Sequence, residues 1–139
     1  MIDPRRSSPL ANPLTYYERS LLVRQALEQA GVDHVDFSVV PLPISLPELY
    51  CYYVPLDAVF FLTIYDDWGR QKLAFFKSLK LATHVLWDVP PQDKGISGSD
   101  VRQLMIQGGA WERLVPPVAA QLLQRWGIPE RLREMAGEK

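Results

Sequence analysis

The sequence predicts an α/β fold, a doubly wound parallel sheet followed by a helical tail. Three observations carry this. Asp57 to Ile64, DAVFFLTI, is almost continuously apolar, as a strand of a parallel sheet covered on both faces is. Strand-like and helix-like stretches alternate as far as Val89. From Gly95 onward the apolar residues follow helical spacing.

The first eleven residues are rich in Pro, Ser and Arg and read as a loop. Residues 12–139 read as one domain, because 139 residues with 47% hydrophobic content suit one core better than two. In Thr15-Tyr16-Tyr17-Glu18 the threonine hydroxyl and the glutamate can satisfy each other's backbone amides, the capping-box start of a helix, and Gly31 supplies its stop. Tyr17, Leu21, Val23, Leu27 and Ala30 then form the expected buried stripe, leaving Glu18, Arg19, Arg24, Gln25, Glu28 and Gln29 outward.

His34 to Val40 is rich in β-branched residues and runs into Pro41-Leu42-Pro43, so a strand is predicted there. A short helix follows Ser45, with Pro47 in its first turn. Asp57 to Ile64 is the predicted central strand. Asp66 or Asp67 caps a helix through Leu79, with Trp68, Leu73, Phe75, Phe76 and Leu79 toward the core and Gly69 weakening the first turn. Thr83 to Val89 is a further strand. The tail divides into Ser97 to Gln107, Trp111 to Leu114, Pro117 to Trp126 and Pro129 to Ala136, with Gly108, Gly109, Pro116-Pro117 and Gly127 at the breaks.

Composition narrows the function classes. Fifteen basic residues against sixteen acidic ones give no long-range positive field, so neither nucleic acid nor an anionic membrane is an expected partner. The single cysteine, Cys51, rules out an internal disulfide and a Cys-clustered zinc site. No apolar run approaches a membrane span, and MIDPRRSSPL has no apolar signal core. A soluble, cytoplasmic protein is the expectation.

The chemistry concentrates in Gly95-Ile96-Ser97-Gly98-Ser99-Asp100-Val101-Arg102. A Pro/Gly loop delivers small hydroxyl residues to a helix start, and an arginine follows one turn later. Unpaired amides and a partial positive charge at that start suit phosphate; Ser97 and Ser99 add donors and Arg102 a bidentate cation. On these grounds two readings stand: an anion site, or a serine that merely caps the helix with Arg102 in solvent.

ISGSDVR resembles the ISxTxxR signature of the nucleotidyltransferase-like superfamily. NPLTYYER, at Asn12 to Arg19, is similar to the NPFTAGER stretch of archaeal-type nicotinamide-nucleotide adenylyltransferases, and MIQGGAWERLV (Met105 to Val115) and GIPERL (Gly127 to Leu132) match that family's tail in order. The resemblance implies a Rossmann-like sheet and adenylyl transfer from ATP to nicotinamide or nicotinate mononucleotide, with magnesium (Mg2+) assisting and pyrophosphate released. It places Ser97, Gly98, Ser99 and Arg102 on the ATP phosphates. It makes Asn12 a nucleotide-binding candidate and puts Tyr50 where the family stacks an aromatic on the nicotinamide ring; ordinary helix packing is the alternative for Tyr50. Thr63, Tyr65 and Trp68 lie at the carboxyl end of the apolar strand, where open α/β sheets receive ligands. Trp68 is either a base-facing residue or a core one.

One departure from the family is large. Its GxFxPxHxGH loop, whose histidines meet the ATP phosphates, has no counterpart here, and His34 and His84 lack its spacing and are expected to be structural. By the resemblance, the first βα unit of about thirty residues is absent, and apolar strands with bare edges invite pairing with a second copy or another chain. Three readings follow: a fragment or mis-started form of an enzyme, a complete non-catalytic nucleotide-binding or interaction module, and an unrelated flavodoxin-like domain.

Overall fold

The computed structural model describes residues 8–137. Their backbone gathers into two compact units, residues 41–95 and residues 8–40 with 96–137.

In the first unit, β1 (Val59–Ile64) and β2 (Ala82–Asp88) run parallel and are joined by α2 (Asp67–Ser78), the βαβ arrangement expected of a Rossmann-like α/β protein. Asp66 starts α2 by accepting the Gly69 amide at 3.0 Å. A Cβ on Gly69 would stand 3.2 Å from the Ile64 Cα. The glycine that reads as a weak point in the helix therefore lets α2 close onto the end of β1. Leu73, Phe75 and Phe76 then cover Phe60 and Leu62, with the Phe76 ring edge-on to Phe60 at 5.3 Å.

The opposite face of the sheet corrects the expectation of a strand covered on both sides. Val59 and Phe61 are 50% and 62% exposed, and Leu86 on β2 is 49% exposed. Among the described residues the sheet has two strands, so β1 is not central, and Phe61 leans edge-on against His84 across the pair at 5.3 Å. Residues 47–52 form a 3₁₀ turn entered through Pro47, as expected of that proline.

The second unit is helical. It contains α1 (Tyr16–Gln29), α3 (Gly98–Gln107), α4 (Pro117–Arg125) and α5 (Ile128–Gly137), with a 3₁₀ turn at Glu112–Leu114. α3 packs on α5 and α1 on α4. Met105, Trp111, Ala120, Leu123, Ile128 and Leu132 form the buried core. No described helix is long and apolar enough to cross a membrane.

Two expectations fail in this unit. His34 to Val40 is not a strand. Asp33 accepts the Val35 amide and turns His34–Asp36 into a 3₁₀ turn, and the following residues find no ladder partner among the described strands. The second failure is the rotation of α1. Tyr17 and Val23 are 69% and 48% exposed, whereas Leu14 and Leu22 pack on the core. Glu18, expected outward, lies on that inner side with its side chain 12% exposed. Glu18 and Leu22 are four apart and share one helical face, so the rotation that turns Glu18 inward also turns Tyr17 out.

Candidate functional site

The first turn of α3 is built by a capping box. The Ser97 hydroxyl accepts the Asp100 amide at 3.2 Å, and the Asp100 carboxylate accepts the Ser97 amide at 2.9 Å. Ser97 is therefore a cap, as one of the two sequence readings has it. Arg102, however, does not extend into solvent. Its guanidinium folds back over the helix start and donates to the Ser99 hydroxyl at 3.1 Å. A Cβ on Gly98 would stand 2.9 Å from Arg102 Nη1. Gly98 leaves room for this pose, and Gly98, Ser99 and Arg102 together lay a cation across the positive end of a helix.

A cavity of about 250 Å³ opens beside this device. Its rim carries Gly98 and Arg102 from α3 together with Asn12 and Arg19; its floor is apolar, with Val101, Met105 and Ile128 among the lining. No histidine lines it. Asn12, a sequence candidate, thus meets Arg102 at one cavity. Arg19 was not singled out from sequence, although it closes the NPLTYYER stretch and directly follows the capping glutamate. Two arginines on one rim focus positive potential where oxyanions of a phosphate group would sit.

The stretch between Asn12 and Arg19 is held by a long-range bond. Arg131 of α5 donates to both carboxylate oxygens of Glu18 at 2.8 and 2.9 Å and to the Pro13 carbonyl at 2.9 Å. Glu18 Oε1 also accepts the Thr15 amide at 2.9 Å. The hydrogen bonds from Arg131 outweigh the opposing effect of burial and, with those of Thr15, hold the Glu18 carboxyl at about 2 against an ordinary 4.5. The same bonds raise the Arg131 guanidinium above its usual value.

The other sequence candidates belong to the sheet unit. Tyr50 is 1% exposed, donates its hydroxyl hydrogen to the Ile44 carbonyl, and meets Phe76 edge-on at 6.3 Å. Its ring has no open face, so the stacking role is corrected to core packing; burial also pushes its phenol up. Trp68 is half-buried in the first turn of α2, and Thr63 is half-buried at the carboxyl end of β1. Tyr65, just beyond β1, accepts the Trp87 indole N–H at 2.6 Å and lies under the Lys94 ammonium, 5.1 Å from the ring centroid. Trp87 and Lys94 were missed in the sequence. Trp87 occupies in β2 the strand-end position that singled out Tyr65. Of the two histidines, His84 meets Phe61 edge-on, and His34 lies 3.3 Å from the Asp33 carboxylate.

Comparison with known proteins agrees with the three matched motifs. The chain is 47% identical over 131 residues to phosphonoformate cytidylyltransferase of Streptomyces viridochromogenes, covering 94% of this chain and 70% of that protein. It is 32% identical over 133 residues to nicotinamide-nucleotide adenylyltransferase of Pyrococcus horikoshii, covering 94% and 68%. To the enzyme of that name from Ignicoccus hospitalis it is 29% identical over 139 residues, covering 95% and 77%. No family model matches the chain, and no solved structure matches it. Identity of 47% and 32% across 94% of its length places the chain in the nucleotidyltransferase family that contains phosphonoformate cytidylyltransferase and the archaeal nicotinamide-nucleotide adenylyltransferases.

Proposed function

We propose that the cavity of the helical unit binds the phosphates of a nucleoside triphosphate for nucleotidyl transfer, in which an acceptor oxygen attacks the α-phosphorus and pyrophosphate leaves. The observation that carries this is Arg102 folded over Gly98, on one rim with Arg19 and Asn12. Negative charge accumulates on the bridging and leaving oxygens in such a step, and preorganised guanidinium groups stabilise it there. Ser99 orients Arg102, and the α3 amides add their partial charge.

The nucleotide favoured is CTP and the acceptor a small phosphonate, because the relative at 47% identity is a phosphonoformate cytidylyltransferase. Adenylyl transfer from ATP to nicotinamide or nicotinate mononucleotide is the second reading, supported by the adenylyltransferases at about 30% identity and by NPLTYYER. Magnesium would travel with the triphosphate. Such an ion is commonly held largely by phosphates and water. The ion would supply further charge neutralisation at the phosphates.

With no histidine on the rim, this chain by itself is expected to bind nucleotide better than it turns it over. Calorimetric titration with CTP and with ATP, each with magnesium, tests the reading. Saturable binding is expected, tighter for CTP, and Arg102→Ala should weaken it by about 1.5 to 3 kcal/mol as a charge-assisted hydrogen bond is lost. An unchanged dissociation constant removes Arg102 from the site, and tighter binding of ATP moves the assignment to adenylyl transfer.

A further inference from the structure

Adjacent residues of α5 reach two different contributors to the cavity. Leu132 is fully buried in the core that includes Met105 of α3. Arg131 binds Glu18 and the Pro13 carbonyl, inside the stretch that ends in Asn12 and Arg19. Arg131 does not line the cavity, so it is not itself a ligand. We propose that Arg131 is a positioning residue of the anion cavity: through Glu18 and Pro13 it fixes where Asn12 and Arg19 stand relative to Arg102.

This rests on the cavity being the phosphate site. The geometry supports more than general stability. Two parallel N–H···O bonds define the plane of the Glu18 carboxylate, and the Thr15 amide fixes it from a third direction. A carboxylate held by three donors sets the rotation of α1 about its axis. Arg19 is the next residue, about 100° further round the helix, so a roll of α1 by about 30° displaces its side chain by about a hydrogen-bond length. A lysine at 131 would keep the charge and lose the two-point geometry.

The test uses inorganic pyrophosphate, which probes the cations without depending on a base. The full chain, Arg131→Met, Arg131→Lys and Glu18→Gln are titrated calorimetrically, and their amide exchange is followed by mass spectrometry well below the melting transition. Arg131→Met is expected to speed exchange in residues 15–19, leave α3 unchanged and raise the pyrophosphate dissociation constant about tenfold, in line with misplacement of a binding group. Glu18→Gln should act in the same direction, and Arg131→Lys should fall between wild type and Arg131→Met. Faster exchange with unchanged affinity overturns the proposal and leaves Arg131 a purely structural residue. A wild-type chain that binds no pyrophosphate overturns the phosphate site itself, and is recognised before any variant is compared.

Discussion

The helical unit and the sheet unit solve the burial problem differently. The helical unit encloses Leu132 and Ile128 at 0% and 1% exposure and ties its surface with a bidentate ion pair. The sheet unit covers one side of β1 with α2 and leaves Val59, Phe61 and Leu86 between 49% and 62% exposed. Apolar sequence therefore has two meanings in one chain. In the core of the helical unit it marks contacts already made; on the open face of the sheet it marks a surface suited to contact. The polar groups follow the same division, since the three-donor Glu18 clamp lies beside the helical core whereas the Arg70 pairs with Asp67 and Asp88 are open to solvent and add little stability.

The sharpest way to break this contrast is to cut equivalent apolar mass from each unit. Leu132→Ala should cost about 2 to 5 kcal/mol, since a closed core keeps much of the cavity left behind; urea unfolding measures it, and a loss below 1 kcal/mol would mean the helical core is not closed. The Glu18 clamp comes next. Its folded pKa of about 2 lies below the ordinary 4.5, so its contribution is complete above pH 4.5 and disappears as pH falls through about 2. The amount is roughly 2 to 3 kcal/mol. Urea midpoints at pH 5 and pH 2 should differ less in Glu18→Gln than in wild type, and equal differences would assign the acid sensitivity to other carboxylates. The smallest effect belongs to the sheet face. Phe61→Thr should shift stability by no more than about 0.5 kcal/mol while lowering the binding of an apolar dye, and a large destabilisation would show that Phe61 is packed in solution.

Local chemistry was legible in the sequence, and distant partners were not. Thr15, Asp66 and Ser97 each cap a helix because their bonds close within three residues. The parallel strands were readable from DAVFFLTI and Thr83 to Val89, and the capped turn of ISGSDVR likewise, since Gly98, Ser99 and Arg102 lie within five residues of one another. Glu18 was misplaced because its partner lies 113 residues away; by itself a glutamate belongs on the wet face. Arg19 lines the same cavity as Arg102, a placement that depends on the rotation of α1 and is not written in its own stretch. Between stacking and packing the sequence leaves Tyr50 open, because the Ile44 carbonyl and the Phe76 edge that occupy it are partners that no local pattern reveals. His34 to Val40 has strand composition, yet composition supplies no neighbouring ladder.

The helical unit is assembled from two stretches of chain separated by the whole of the sheet unit, and that imposes an order in time. On the ribosome α1 emerges early, but Arg131 and Leu132 follow only after the intervening βαβ segment and α3, several seconds later at about 5 to 20 residues per second. Until then the α1 residues that meet the core lack their partners in α5. The cavity is thus a late product of synthesis, and a nascent chain stalled before Arg131 would carry every rim residue without holding them in place.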